Sequence, residues 1–430
     1  MGKVAWRGLE IRKTEYLDSK KSLDKSKIQL YTCNMYVPRL LFSTLKKAIG
    51  LFPTVLVTGP RQSGKTTFLL REFGHRFDYV SFDDPLKRNF ALTDPNGFLN
   101  RFKDKPIILD EIQYVPEILS YLKIRIDKER SKMGNWVLTG SQQFQLMKNI
   151  SESLAGRIAL LELLPFSLLE TKQDRSGHLE SVLWVGAYPE PALHPEKRDL
   201  WLRSYIQTYI ERDVRQLQNV KDLRSFEAFL GLCAAFHGQT FNTAALSRKC
   251  GVSLPTIKAW AGVLEASYLC RFLPPYFNNY GRRLVKTPKL YFIDPAIVCA
   301  LTRQPSGEAA LNGSMGGVLF EGLMISEAYK IFMAAGKNAD IFFWRSNDGL
   351  EVDLIIQIGG KLYPVEIKLT STPNLRHLEP IKKFRALAGK DAADMGILVC
   401  RVEKKTPMPS DTLAIPWTEF PKWLKSKLKT

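Results

Sequence analysis

Small residues, one lysine and one hydroxyl at fixed spacing form the sharpest chemical signal in this chain. In TVLVTGPRQSGKTTFLLREF, Gly59, Gly64, Lys65 and Thr66 satisfy the pattern G-x-x-x-x-G-K-[ST]. The chemistry of that pattern is phosphate binding. Small residues let successive backbone N–H groups curl around a phosphate, and the start of a following helix adds its positive end. The cradle would run through Gly59, Pro60, Arg61, Gln62, Ser63 and Gly64; Lys65 would reach the outer phosphates, and Thr66, followed by Thr67, would give its hydroxyl to Mg2+. About 45 residues further on, KPIILDEIQYVPEI sets two acids after an apolar run. Asp110 is placed to hold the metal through water, and Glu111 to orient or deprotonate an attacking water.

Such groups need strands to carry them. Residues 54–58 are a short apolar run suited to a buried parallel strand, and residues 66–73 have the composition of the helix that follows. Residues 107–109 form the strand before Asp110. NWVLTGSQQF supplies a third, ending in Thr139, Gly140 and Ser141. A polar side chain there would lie beside the outer phosphate if its strand neighbours that of Asp110; a plain strand ending in a small-residue turn is the other reading. YVSFDDP, with Asp83 and Asp84, is expected to be an edge strand and loop.

GPRQSGKTTFL, LDEIQYVP, LTGSQQFQLM, SLAGRIALLELLPFSLLE and VGAYPE together resemble the AAA-type ATPase domain of a large, poorly characterised prokaryotic family. The resemblance implies a P-loop α/β fold, ATP as the nucleotide, a nucleotide site carried by Lys65, Thr66, Asp110 and Glu111, and Ser141 near the sensor position. Arg157, in SLAGR, matches a recurrent basic position of that family, where it would reach the phosphates of its own or a neighbouring subunit's nucleotide or brace a loop. Gln62 stands where a second arginine is more common and Ala187 where glycine is; neither change removes a phosphate ligand.

Beyond residue 200 the chain turns helical. Tyr205, Tyr209, Glu211, Arg212 and Asp213 lie within a few turns of one another, suited to joining domains. FNTAALSRKCGVSLPTIKAWAGVLEASYL then reads as helix, turn, helix: Asn242 or Thr243 caps the first, Gly251 permits the turn, and Ser253 caps the second. With the strand-like LCRFLPP and KLYFI it makes a winged-helix-like unit. Its second helix offers base edges chiefly Lys258, with Thr256 as a weaker group, so a packing module and a DNA reader are both open.

ERDVRQL, GQTFN, KTPKLYFIDPAI and FFWRSNDGLEVDLIIQIGGKLYPVEIK resemble the C-terminal domain of unknown function paired with that same ATPase domain. Four of its residues suggest a second site. Glu321 is on an expected helix, Asp353 on a strand, and Glu366 and Lys368 two apart on the next strand, hence on one face. Carboxylates so placed could hold a second Mg2+ or Mn2+, with Lys368 steadying its water. The arrangement, a D followed by E-x-K with a helical Glu, resembles the restriction-endonuclease-like nuclease fold. Its bland alternative is internal pairing that includes Arg345 and Glu351.

The chain has 430 residues, 62 Lys and Arg against 43 Asp and Glu, a net charge of +19, and 45% hydrophobic residues. That composition excludes a chain too polar to build cores, and the charge suits nucleic acid or an anionic surface, with a crowd of solvated lysines as the other reading. DNA is the leading partner expected of a nucleotide site joined to a basic multidomain remainder, with a protein partner as the alternative. Six scattered cysteines and five histidines without metal-ligand spacing argue against a disulfide framework or a structural zinc. No run approaches the roughly 18 apolar residues of a membrane span, and the N-terminus lacks an apolar signal core, so a cytoplasmic protein is expected. The expected organisation is a basic arm over 1–28, a P-loop α/β domain over 29–200, a helical and winged-helix-like unit over 201–278, and an α/β nuclease-like domain over 279–430 with a solvated last helix. A homo-oligomer is compatible with the Arg157 reading.

Overall fold

The apolar run Thr54–Thr58 is strand β1, buried at every position, as a central parallel strand must be. The computed structural model describes residues 36–102, 104–141, 153–171, 178–208, 223–277 and 287–429. The basic arm over 1–28, the residues Tyr209, Glu211, Arg212 and Asp213, and the QQFQLM stretch lie outside the described residues. Apart from Tyr36, the described residues belong to one unit, Val37–Thr430.

Helix α1 (Phe42–Leu51) precedes β1, and helix α2 (Lys65–Phe73) follows the glycine-rich loop. Strands β2 (Asp78–Ser81), β3 (Ile107–Asp110), helix α3 (Ile118–Lys128), β4 (Trp136–Gly140) and β5 (Ile158–Glu162) complete the first sheet. All its strands run parallel, in the order β2-β3-β4-β1-β5, so β4 separates β1 from β3. Two apolar clusters cover the faces: Leu56, Leu109 and Leu138 point to one side, and Val55, Val57, Ile108 and Val137 to the other. Asp84, expected in a solvated loop, caps the helix after β2 by accepting from the Leu86 amide.

Helices α4 (Arg198–Thr208) and α5 (Leu223–Ala235) lead to α6 (Thr243–Cys250) and α7 (Leu254–Ala266). Asn242 caps α6 through the Ala245 amide, Gly251 takes the left-handed conformation (φ +67) that turns the chain, and Ser253 caps α7 through the Thr256 amide. Strands β6 (Cys270–Leu273) and β7 (Lys289–Phe292) then form an antiparallel ribbon.

Helix α8 (Gly316–Ala334) is buried almost all round and forms the axis of the C-terminal half. Around it lies a mixed sheet built from β8 (Ile341–Arg345), β9 (Glu351–Ile358), β10 (Lys361–Ile367), helix α9 (Glu379–Ala388), β11 (Gly396–Cys400), β12 (Thr406–Met408) and β13 (Thr412–Pro416), in strand order β12-β13-β11-β10-β9-β8. The last helix, α10 (Phe420–Lys427), departs from the expectation of a solvated piece: Phe420, Trp423 and Leu424 are buried in the same core as α8, and its lysines face outward. That core runs without a break from Leu179 to Leu428.

Candidate functional site

The strand order brings three sequence signals to one sheet edge. Thr58 pairs with Gly140, and Leu109 with Leu138, so the loop after β1, the acids after β3 and the polar end of β4 are level. Ligand sites in open parallel sheets form at that carboxyl edge.

The loop has the backbone its glycines predict. Gly59 has φ +142, and a Cβ there would stand 2.2 Å from the Leu163 carbonyl oxygen, so only glycine lets the loop pass β5. Gly64 (φ +88) starts α2, and Gln62 also has a positive φ (+60). The Lys65 ammonium donates to the carbonyls of Gly59 (3.1 Å) and Pro60 (2.8 Å), across the inside of the loop. Burial lowers its pKa to about 8, against the raising effect of Glu111 and Asp110, while Arg61 adds to the lowering. Ser63 is fully buried, and its hydroxyl has no hydrogen-bond partner among the described residues.

Asp110 collects three hydroxyls. Thr66 Oγ1 donates to its Oδ2 at 2.9 Å and the Tyr79 hydroxyl to the same oxygen at 2.8 Å, while Thr139 Oγ1 donates to Oδ1. Thr139 also accepts the Glu111 amide at 3.1 Å, fixing that residue in a left-handed conformation (φ +57). The Glu111 carboxylate then receives Gln113 Nε2 and, at 3.4 Å, Ser141 Oγ. Lys65, Thr66, Asp110, Glu111 and Ser141 therefore meet at one edge. A hydroxyl and a carboxylate within hydrogen-bond distance, beside a lysine in a glycine cradle, fit a phosphate-bound Mg2+.

Arg157 is not brought there. It stands just before β5, whose Ile158 pairs with Thr54, so it is level with the start of β1 while the loop leaves the other end, about 20 Å along the strand. Its guanidinium makes two bonds to Asp127 on α3, at 2.8 and 3.0 Å, which brace a loop. The phosphates of its own protomer are out of its reach.

Two contributors carry no sequence signal. Arg39 is buried and donates to the carbonyl of Ser63 (2.8 Å) inside the loop, to that of Leu164, and to Glu170 (3.1 Å). Tyr79 is an unremarkable aromatic in a short edge strand.

The C-terminal residues also gather. In the antiparallel β9/β10 pair Val365 faces Leu354, which sets Glu366 opposite Asp353 on one face. Lys368 lies between them, 3.1 Å from Asp353 and 2.7 Å from Glu366. Glu321, on α8, is held by Tyr291 and, at 3.3 Å, by Lys289, which also pairs with Glu351; Arg345 reaches Glu351 at 4.0 Å. Burial raises the pKa of Glu321 and Glu366, and Asp353 adds to both. The carboxylates are thus drawn onto lysines, and no group of three or more His, Cys, Asp or Glu among the described residues could hold a metal ion. Of the cations on α9, Lys383 pairs with Asp348 and Arg385 donates to the carbonyls of Ser410 and Asp394.

The sheet order, glycine loop and Asp110 cluster define a P-loop nucleotide-binding domain. Residues 52–172 match the family model described as AAA domain, residues 316–420 the domain of unknown function DUF4143, and residues 176–308 the domain of unknown function DUF8612. The chain therefore carries an AAA domain followed by this C-terminal domain of unknown function. The uncharacterized proteins Mb2031c of Mycobacterium bovis and Rv2008c of Mycobacterium tuberculosis are each 29% identical over 390 residues, 90% of this chain and 85% of theirs. MJ1544 of Methanocaldococcus jannaschii, also uncharacterized, is 25% identical over 287 residues, 57% of this chain and 62% of its own. Among solved structures, the Walker-type ATPase PABY2304 of Pyrococcus abyssi aligns over 63% of this chain and 99% of its own, at 15% identity and TM-score 0.42. AMPPCP-bound DnaA of Aquifex aeolicus aligns over 53% and 84%, at 17% identity and TM-score 0.25. No helix among the described residues is long and apolar enough to cross a membrane.

Proposed function

We propose that the protein binds ATP with Mg2+, hydrolyses it slowly by direct attack of water on the outer phosphorus, and uses nucleotide state to set how its C-terminal half engages nucleic acid, DNA foremost, in the cytoplasm. One observation carries the nucleotide reading: the 2.9 Å bond that joins Thr66, in the first turn of α2, to Asp110, at the end of β3, beside the buried Lys65. A Mg2+ held by Thr66 and Asp110 would supply positive charge to the outer phosphates. Lys65 adds its charge from within the loop, Thr66 and Asp110 hold the metal, and Glu111, steadied by Gln113 and Ser141, takes or orients the proton of the attacking water.

Coupling to the C-terminal half is supported by polar contacts at the sheet. Glu162, at the end of β5, accepts from Arg271 of β6 at 3.0 Å and from Tyr329 of α8 at 2.9 Å, and the Tyr268 hydroxyl lies 3.5 Å from Thr58, the residue before the loop. The competing partner is a protein docked on the winged-helix-like unit. It is favoured by the exposed start of α7, where Leu254 and Pro255 stand beside the single cation Lys258 and Thr256 is engaged with Ser253.

Equilibrium binding of a fluorescent ATP analogue should be lost in Lys65→Ala and kept in Glu111→Gln, with turnover of the latter reduced about a hundredfold or more. Undiminished binding in Lys65→Ala would show the cradle to be wrongly assigned. DNA affinity that falls with salt and differs between ATP and ADP supports the DNA reading. DNA-independent capture of a protein moves the assignment to the alternative.

A further inference from the structure

Two ion pairs sit back to back across the segment that follows β5. Arg39 and Glu170 form one, with side chains 4% and 5% exposed; Glu327 and Lys330 of α8 form the other, 3.0 Å apart, 1% and 3% exposed. Residues 166–170 lie between them and touch both. Glu170 accepts the amides of Leu40 (2.6 Å) and Ser167 (2.9 Å), while Glu327 accepts Ser167 Oγ (2.7 Å) and the Leu168 amide (2.9 Å). Lys330 donates to the Phe166 carbonyl at 2.9 Å, and the Arg39 guanidinium lies 4.9 Å from the Phe166 ring centre. At the far end Arg39 donates to Ser63 O inside the phosphate loop.

A continuous buried chain therefore runs from the loop carbonyl through Arg39, Glu170, Ser167 and Glu327 to the axial helix of the C-terminal domain. Every link is charged or hydrogen-bonded and shielded from water, where such bonds are strong and a missing partner is costly. Breaking a link frees the loop to sample conformations whose amides do not converge on a phosphate, and nucleotide then has to select the competent one.

We propose that Arg39 and Glu327 are positioning residues for the phosphate loop, and that the C-terminal domain sets nucleotide affinity through residues 166–170. This rests on the ATP-binding reading. By linkage, nucleotide also tightens the seating of α8 on that segment to the same degree.

The test uses the full-length protein and a fluorescent ATP analogue, with melting temperature as a control for folding. Ser167→Ala removes the hydroxyl bond to Glu327 and leaves both ion pairs in place, so it serves where Glu327→Gln fails to fold. Analogue affinity should fall about three- to tenfold in Ser167→Ala and Glu327→Gln and further in Arg39→Ala, with Arg39→Lys recovering part of the loss. The Kd and KM should move together while kcat changes less than about twofold. Amide hydrogen exchange over residues 59–66 should speed up in each variant, and the Arg39→Ala/Ser167→Ala double variant should lose less than the product of the single losses. Wild-type affinity and loop exchange in folded Ser167→Ala and Glu327→Gln would overturn the role of α8, and the same in Arg39→Ala the whole proposal. Absence of analogue binding by the wild-type protein would instead remove the ATP reading on which it rests.

Discussion

At the scale of single residues, Lys65 has conflicting demands. It must be charged to hold phosphate, yet its burial disfavours that charge and leaves its pKa at about 8. Nucleotide binding therefore takes up a proton above that pH. Affinity for the ATP analogue should be level between pH 6.5 and about 7.5, then fall toward about tenfold per pH unit above 8. The sign for stability is opposite. A lysine whose folded pKa is below its unfolded value of 10.5 makes the nucleotide-free fold more stable as pH rises from about 8 to 10.5, because the unfolded chain holds the proton there. Titration of affinity by fluorescence, with Lys65→Arg as the always-charged comparison, checks this. A wild-type profile flat to pH 9.5 would refute it.

At the scale of elements, strand register decides which polar residues can cooperate. Arg157→Ala should leave analogue affinity of the isolated protomer unchanged, since β5 sets Arg157 at the opposite end of the sheet from the loop, on Asp127. A fall in turnover that appears only as protein concentration is raised would assign Arg157 to a neighbouring subunit's nucleotide, and a loss of affinity in dilute protein would contradict the register argument. Register also explains what the sequence could tell. The cradle, its strand and its helix are contiguous, so local spacing specified Gly59 through Thr66, and the apolar run before Asp110 marked β3. Arg39 meets Glu170 across 131 positions, Ser167 meets Glu327 across 160, and Tyr79 meets Asp110 across 31, with no pattern linking the partners. The Asp353, Glu366 and Lys368 grouping was legible because alternation along β10 and one tight turn fix it, but Lys289 and Tyr291, which complete the network around Glu321, arrive from a distant ribbon. The buried side of α10 was missed for a related reason: its lysines dominate the composition, and the partner of Trp423 and Leu424 is a core assembled from the rest of the domain.

At the scale of the whole molecule, the C-terminal half gathers four acids, the half-buried Glu321 and Glu351 and the buried Asp353 and Glu366, around two lysines. Burial, joined by repulsion from Asp353 and opposed by Lys368, raises the Glu366 pKa above the usual carboxylate range. The folded state then holds protons that the unfolded chain has released, so this network loses stability as pH rises from the unfolded carboxylate range through the raised values. The apparent melting temperature should fall less between pH 5 and 8 in Glu366→Gln than in the wild-type protein; an equal fall in both would show that Glu366 is ionised throughout. The single core from Leu179 to Leu428 has a consequence for synthesis on the ribosome. The nucleotide sheet packs its own clusters from residues 41–163 and can close while the rest is still being made. The other core must wait for Trp423 and Leu424, on the order of tens of seconds of elongation later. During that interval the nascent chain presents the apolar faces of several helices, and Arg39 already has Glu170 while Glu327 is still to come. A phosphate loop steadied only once α8 has joined the fold would hold ATP more weakly in nascent chains that lack that helix, so nucleotide capture would strengthen as residues 316–334 are added.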